Sequence, residues 1–264
     1  MSTIAIVGAG PGLGLAIART FGAHGFTVAL IARNSDKLED LVTTLDGDGI
    51  EASGFVADIT DAAALAQALA AAADRFGHID VLEFSPVGSP TTTPLTSPAT
   101  SARADLQREI DVQLYGAMAA TAAVLPAMRA AGAGTLLFTT GAGSIDPVPM
   151  VGNVNAAAAA LRNWVIGLHK ELADEGIQAA HVGIDVSIDK SVIPGLPVAP
   201  AGDISPAYWN LHTSKRDLAE YVYSSESNAP QTFTSERFTQ DGGSTTSNGK
   251  TLTGSASSSP DIWD

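Results

Sequence analysis

The 264-residue chain contains no cysteine, which excludes disulfide bridges, thiolate metal ligands and a cysteine nucleophile. Basic residues are scarce, with 14 Lys and Arg against 28 Asp and Glu. The resulting charge of -14 repels phosphate backbones and anionic headgroups, so neither nucleic acid nor a membrane surface is expected as a partner. Apolar stretches are short and broken by Gly, Pro or charge, which predicts no membrane-crossing segment. No basic region precedes the first apolar run, so no signal peptide is expected and a cytoplasmic address follows. His24, His78, His169 and His212 are scattered without ligand spacing, and no metal site is expected. Charge is low at 16% and hydrophobic content high at 45%, the balance of one large globular domain with a sizeable core.

What is present is an alternation. Short apolar runs at Ile4 to Val7, Thr27 to Ile31, Ala52 to Val56, Val81 to Phe84, Thr135 to Thr139 and Gln178 to Val182 are separated by stretches at helical period. Those stretches are Leu13 to His24, Ser35 to Leu45, Ala62 to Phe76, Ala102 to Ala131 and Ala156 to Glu175, each long enough to cross over a sheet. This order predicts an α/β fold, a single doubly wound Rossmann-type domain whose mostly parallel sheet is flanked by helices. Thr60 and Asp61 are cap candidates, and Gly77 and Gly176 stand where helices should stop. After Ser187 four prolines interrupt regular structure until a helix-like stretch at residues 205–223, so residues 187–223 are expected to form a flap on a domain spanning 1–223. From Ser224 onward 17 of 41 residues are Ser or Thr and periodicity disappears, which suits a flexible tail, with QDGG at 240–243 as the one place for a last strand.

The strongest chemical signal is the strand IAIVGAGPGLG running directly into a helix. A diphosphate approaches backbone N–H groups closely at such a helix start, and Cβ atoms there obstruct it. Gly8, Gly12, Leu13 and Gly14 are therefore the expected dinucleotide cradle. The second strand ends on Arg33, with Lys37 a turn later, where a cofactor bearing a free ribose hydroxyl is met by an acid. A guanidinium suits a 2'-phosphate, so NADP is expected over NAD. Asp58 and Ile59, after the third strand, are the expected adenine contacts, although Asp58 serves equally well as a local cap.

These residues resemble the short-chain dehydrogenase/reductase family from Ser2 to about Val186, through Gly8, Gly12, Gly14 and Asp58. The resemblance implies hydride chemistry on a small carbonyl, alcohol or alkene and a homodimer or homotetramer. It also implies catalytic positions. Thr140 falls nearest the family's serine, with Thr139 and Ser144 as poorer matches, and Gln113 stands where the family has an active-site asparagine. Phe84, Ser85, Pro86 and Val87 replace the Asn-Asn-Ala-Gly element, and Ile184 and Asp185 replace a Pro-Gly. The Tyr-x-x-x-Lys signature is replaced by Val154 and Ala158, or by Asn153 and Ala157 one residue earlier. Valine and alanine carry no titratable proton, so proton delivery is expected to be atypical, with Asn153 orienting a substrate. The alternative is a catalytically silent dinucleotide-binding sensor or scaffold. Tyr115, His181, Asp185, Lys190 and Tyr208 are the titratable residues expected near the strand ends or flap. Of these, Tyr115 and His181 suit packed core positions, and Tyr208 suits either a pocket or an anchor.

Overall fold

The computed structural model describes residues 1–86, 94–191, 196–214 and 216–225. In chain order it forms β1 (Thr3–Val7), α1 (Leu13–Gly22), β2 (Thr27–Ala32), α2 (Ser35–Gly47), β3 (Ala52–Val56), α3 (Ala62–Phe76) and β4 (Val81–Phe84). There follow α4 (Arg103–Ile110), α5 (Gly116–Ala131), β5 (Gly134–Gly141), α6 (Gly152–Leu172) and β6 (Ile177–Asp185). The last elements are β7 (Ser187–Ile188), β8 (Val198–Ala199), α7 (Ala201–Ile204), α8 (Pro206–Thr213) and β9 (Glu220–Ser224). One parallel sheet runs in the order β3-β2-β1-β4-β5-β6-β9, and β7 pairs with β8 as a separate ribbon.

The strands are nearly all apolar because both faces of the sheet are covered. Successive residues point to opposite faces, so Ala5 and Val7 join the core under α3, α5 and α6 while Ile4 and Ile6 join the core under α1, α2 and α8. Asp61 caps α3 by accepting from the N–H groups of Ala63 and Ala64, both at 3.0 Å. Gly77 and Gly176 end their helices at φ 100° and 73°, a region that only glycine enters cheaply. Winding outward from β1 through β2 to β3, the chain then returns to the other side of β1 as β4. Such a reversal leaves a crevice at the carboxyl ends of β1 and β4, the usual ligand position in an open α/β sheet.

Four expectations need correction. The Ala102 to Ala131 stretch is not one uniform helix: residues Asp111–Tyr115 form a π-helical turn between α4 and α5. Within residues 103–131 an 18-residue window also reaches a mean hydropathy of 1.2, enough by length and composition alone to cross a bilayer, which a reading by uninterrupted runs misses; here α5 packs along α3, β4 and β5. The helix-like stretch at 205–223 stops at Thr213, and Glu220–Ser224 extends the sheet beside β6. The backbone hydrogen bonds of the β6 edge decide this against the helical composition of the segment. Within the flap, the proline-rich part holds the β7–β8 ribbon rather than irregular chain alone. Residues 226–264, including QDGG at 240–243, lie outside the described residues.

Candidate functional site

The glycine turn stands at the switch point. Gly8 has φ 95° and donates its N–H to the Ile31 carbonyl at 3.0 Å. A Cβ at Gly8 would lie 2.7 Å from the Pro86 backbone, so this glycine lets the turn after β1 pass against the chain leaving β4. Gly14 sits at 3.3 Å, by the same measure, from the Cα of Ala9, where it closes the helix start onto the turn. Gly12 is the N-cap of α1 and supplies no side chain to cap it. The N–H groups of Leu13 and Gly14, in the first turn, have no intrahelical partner and point off the positive end of the helix. This open end fits a diphosphate.

Arg33 follows β2 on the surface, and its charge helps to hold the Asp58 carboxyl below its usual range. The larger cause is the Thr60 backbone N–H, which donates to Asp58 at 2.9 Å, while the Thr60 hydroxyl donates to the same oxygen at 2.8 Å. Asp58 thus shapes its own turn, exposed and next to the half-buried Ile59. The Lys37 backbone N–H goes to the Asn34 side chain at 2.8 Å, and its ammonium extends from the exposed start of α2. One residue opposes an anion. Asp189, at φ 60°, accepts from the Ala201 N–H at 2.8 Å, and its other oxygen lies 3.3 Å from where a Gly12 Cβ would stand. A diphosphate on the first turn of α1 therefore has a carboxylate for a neighbour, at the rim of a groove of about 330 Å³ lined by Gly12, Arg19, Asp189 and Ser205.

The structure brings Thr140, near the carboxyl end of β5, together with His181, in the middle of β6. Thr140 Oγ1 lies 2.8 Å from His181 Nε2, and His181 Nδ1 lies 3.0 Å from Glu220 Oε1. Arg162, from α6, grips Glu220 with two nitrogens, Nη2 donating to Oε2 at 2.8 Å. Thr140 Oγ1 also lies 3.1 Å from Ser144 Oγ and 2.9 Å from the Gly141 carbonyl oxygen. Thr140, His181, Ser144 and Glu220 are all buried.

Gln113 points inward from the π turn, donates to Glu109 at 2.9 Å and reaches the Val154 carbonyl at 3.5 Å. A π turn adds a residue to the helical repeat and rotates this side chain toward α6. Asn153 is 1% exposed, accepts from the Thr96 N–H at 3.1 Å and donates to the Pro94 carbonyl at 3.0 Å. Both ends of its amide are thereby spent on the chain segment ahead of α4. Tyr115 is 53% exposed, so the expected packing role within the domain does not hold; the π turn swings it outward. Tyr208 is fully buried and serves as an anchor.

The sequence reading passed over two carboxylates. Glu83 is wholly buried in β4, where the Ser85 hydroxyl donates to Oε2 and the Thr139 hydroxyl to Oε1, each at 2.9 Å. Having given its hydrogen to Glu83, Thr139 accepts from the Tyr208 hydroxyl at 2.7 Å. Burial pushes Glu83 up to about 8, so it holds its proton at neutral pH. The available signal was a lone acid inside the apolar run Val81 to Phe84. Glu220 is the opposite case: burial raises it, but hydrogen bonds from His181 and Arg162 prevail and hold it at about 2. Nothing in the sequence pairs it with His181, because that partnership depends on the register of β6 against β9.

Comparison with known proteins places this geometry. Residues 2–185 match the family described as short chain dehydrogenase. The chain is 32% identical over 204 residues to oxidoreductase UcpA of Escherichia coli K12, covering 76% of this chain and 71% of that protein. It is 30% identical over 167 residues to dehydrogenase/reductase SDR family member 4 of the pig, covering 63% of this chain and 59% of that protein's length. Among solved structures, L-sorbose reductase from Gluconobacter frateurii, complexed with NADPH and L-sorbose, superposes with a TM-score of 0.73 at 18% identity, covering 84% of this chain and 94% of that one.

Proposed function

Because the chain belongs to the short chain dehydrogenase family, we propose that it is an NADP(H)-dependent oxidoreductase acting on a small carbonyl, alcohol or alkene, with proton delivery that uses no tyrosine–lysine pair. The carrying observation is the uncapped start of α1 at the β1/β4 switch point, with Arg33 and Asp58 at the ends of the next two strands. In this reading Gly12, Leu13 and Gly14 hold the diphosphate, Gly8 lets the turn approach β4, Arg33 pairs with a 2'-phosphate, and Asp58 and Ile59 receive the adenine. When bound, the reduced cofactor supplies hydride to a carbonyl carbon, and the resulting alkoxide requires a proton. In this reading Thr140 and Ser144, 3.1 Å apart where β5 ends, form the hydroxyl pair on the side of that oxygen. Gln113 braces the start of α6 through the Val154 carbonyl, and Asn153 fastens residues 94–97 over it. The domain is read as residues 1–223 with the flap at 187–223. The exposed Leu106, Tyr115 and Met118 favour a homodimer or homotetramer through the 103–131 helix pair.

Calorimetry with NADPH and NADH, followed by NADPH consumption against a panel of aldehydes, ketones and activated alkenes, tests the reading. NADPH is expected to bind more tightly than NADH, and Arg33→Ser to erase most of that difference, about 10-fold or more for a lost charged hydrogen bond. No heat with either dinucleotide overturns the site, and binding without turnover on the whole panel overturns the enzyme.

A further inference from the structure

We propose that Glu220, His181 and Thr140 form a proton relay that ends at Ser144 and supplies the proton which the family's tyrosine supplies elsewhere. This rests on the oxidoreductase reading above and names the donor left open there.

Hydrogen-bond polarity carries the argument. Glu220 is a carboxylate because Arg162 and His181 both stabilise its charge, so it accepts from His181 and fixes the hydrogen of the neutral ring on Nδ1. Nε2 is then bare, and at 2.8 Å it accepts the Thr140 hydroxyl hydrogen. A second proton on Nε2 reverses this bond. His181 then donates to Thr140, whose own hydrogen turns to one of two acceptors in reach, the Gly141 carbonyl at 2.9 Å or Ser144 Oγ at 3.1 Å. One proton arriving at the ring thus presents one at Ser144, in the 3-10 turn Ala142–Ser144 that leaves the carboxyl end of β5.

The proton transfer balances with solvent as the source of the proton. Ser144 O–H protonates an alkoxide, Thr140 O–H reprotonates Ser144, and His181 Nε2–H reprotonates Thr140. Each oxygen forms one O–H bond as it loses another, and the ring returns to its neutral form; wholly buried, it is recharged by a solvent proton passed back through Ser144 and Thr140 after product leaves. Among the described residues, the charged groups acting on His181 are Glu220 on β9 and Arg162 on α6; His169, also on α6, bonds the Ala179 carbonyl at 2.9 Å, farther down β6. Burial lowers the imidazole pKa, and Glu220 opposes that shift.

Two measurements on the full chain decide the matter. Long-range proton–nitrogen NMR of the cofactor-free protein reads the His181 tautomer, where hydrogen on Nδ1 is expected and a neutral ring with hydrogen on Nε2 overturns the relay. NADPH consumption with carbonyl probes, butane-2,3-dione among them, is then followed against pH. Reduction is expected to slow as pH rises through the His181 transition. Thr140→Val and His181→Gln are each expected to lower kcat by about 100-fold or more, with KM and NADPH affinity little changed. Thr140→Ser retains the rate, and His181→Gln loses the pH inflection. Turnover that survives His181→Gln with its pH profile intact overturns the relay alone. If the unmodified chain consumes no NADPH with any probe, the oxidoreductase reading fails and the relay falls with it. The tautomer and the pH profile are read on the unmodified chain, so they stand even where a variant folds poorly.

Discussion

At the scale of single residues, the buried Glu83 and Glu220 shift in opposite senses because Glu83 has only neutral hydroxyl partners, whereas Glu220 has the Arg162 guanidinium and an imidazole N–H. Glu83 carries its proton in the folded chain up to about pH 8 and loses it near 4.5 once unfolded. Between those values the folded state binds more protons, so stability is full below about 4.5 and falls as pH rises through about 8, by at most about 1.4 kcal/mol per pH unit. Urea unfolding from pH 5 to 8 is expected to show this decline, and Glu83→Gln to flatten it; an unchanged slope in the variant refutes the assignment. Glu220, held at about 2, behaves conversely: its contribution is present above 4.5 and disappears as pH falls toward 2. Asp189 is the residue that penalises an anion at the glycine turn. Asp189→Asn keeps an oxygen for the Ala201 N–H and removes the charge. It is expected to tighten NADPH binding about tenfold at low salt, an advantage that shrinks as salt screens it. Equal affinities by calorimetry remove Asp189 from any part in cofactor binding.

At the scale of elements, the Arg162–Glu220 pair joins α6 to β9 across two buried or half-buried side chains. Arg162→Met leaves a buried carboxylate short of its cation, and the expected loss is about 3–5 kcal/mol in chemical denaturation. The double variant Arg162→Met with Glu220→Leu should recover much of that loss. The elements themselves were largely legible. β1, β2, β4 and β6 announce themselves as apolar runs because both of their faces are covered, and Asp61, Gly77 and Gly176 mark helix ends by chemistry that is local. β9 was not legible, since Ala219, Glu220 and the tyrosines after it read as well in a helix, and only an unpaired β6 edge makes them a strand. The π turn escaped for a related reason: its extra residue leaves no mark in a sequence rich in small apolar side chains. Within the candidate site, the glycine turn and Arg33 were readable because strand ends locate them. The partners of Thr140 and His181 were not, because they come from strands brought together only by sheet order.

At the scale of the whole molecule, the sheet places every element of the candidate site along one rim, from Asp58 after β3 to Glu220 at the start of β9. The flap leaves this rim at β6 and rejoins it at β9, the adjacent strand, with Tyr208 and Trp209 seated against the core on the way. Addition of NADPH is therefore expected to slow amide hydrogen exchange in β9 together with β6 and α8, as measured by mass spectrometry. Exchange that slows only around the glycine turn would show the two regions to be independent. Since Glu220 is the first residue of the rejoining strand, it serves as a latch: any displacement that lifts the returning chain withdraws the carboxylate from His181 and disarms the imidazole. The segment that would select a substrate and the base of the proton wire are then one mechanical part, and the chemistry is ready only while that part is seated.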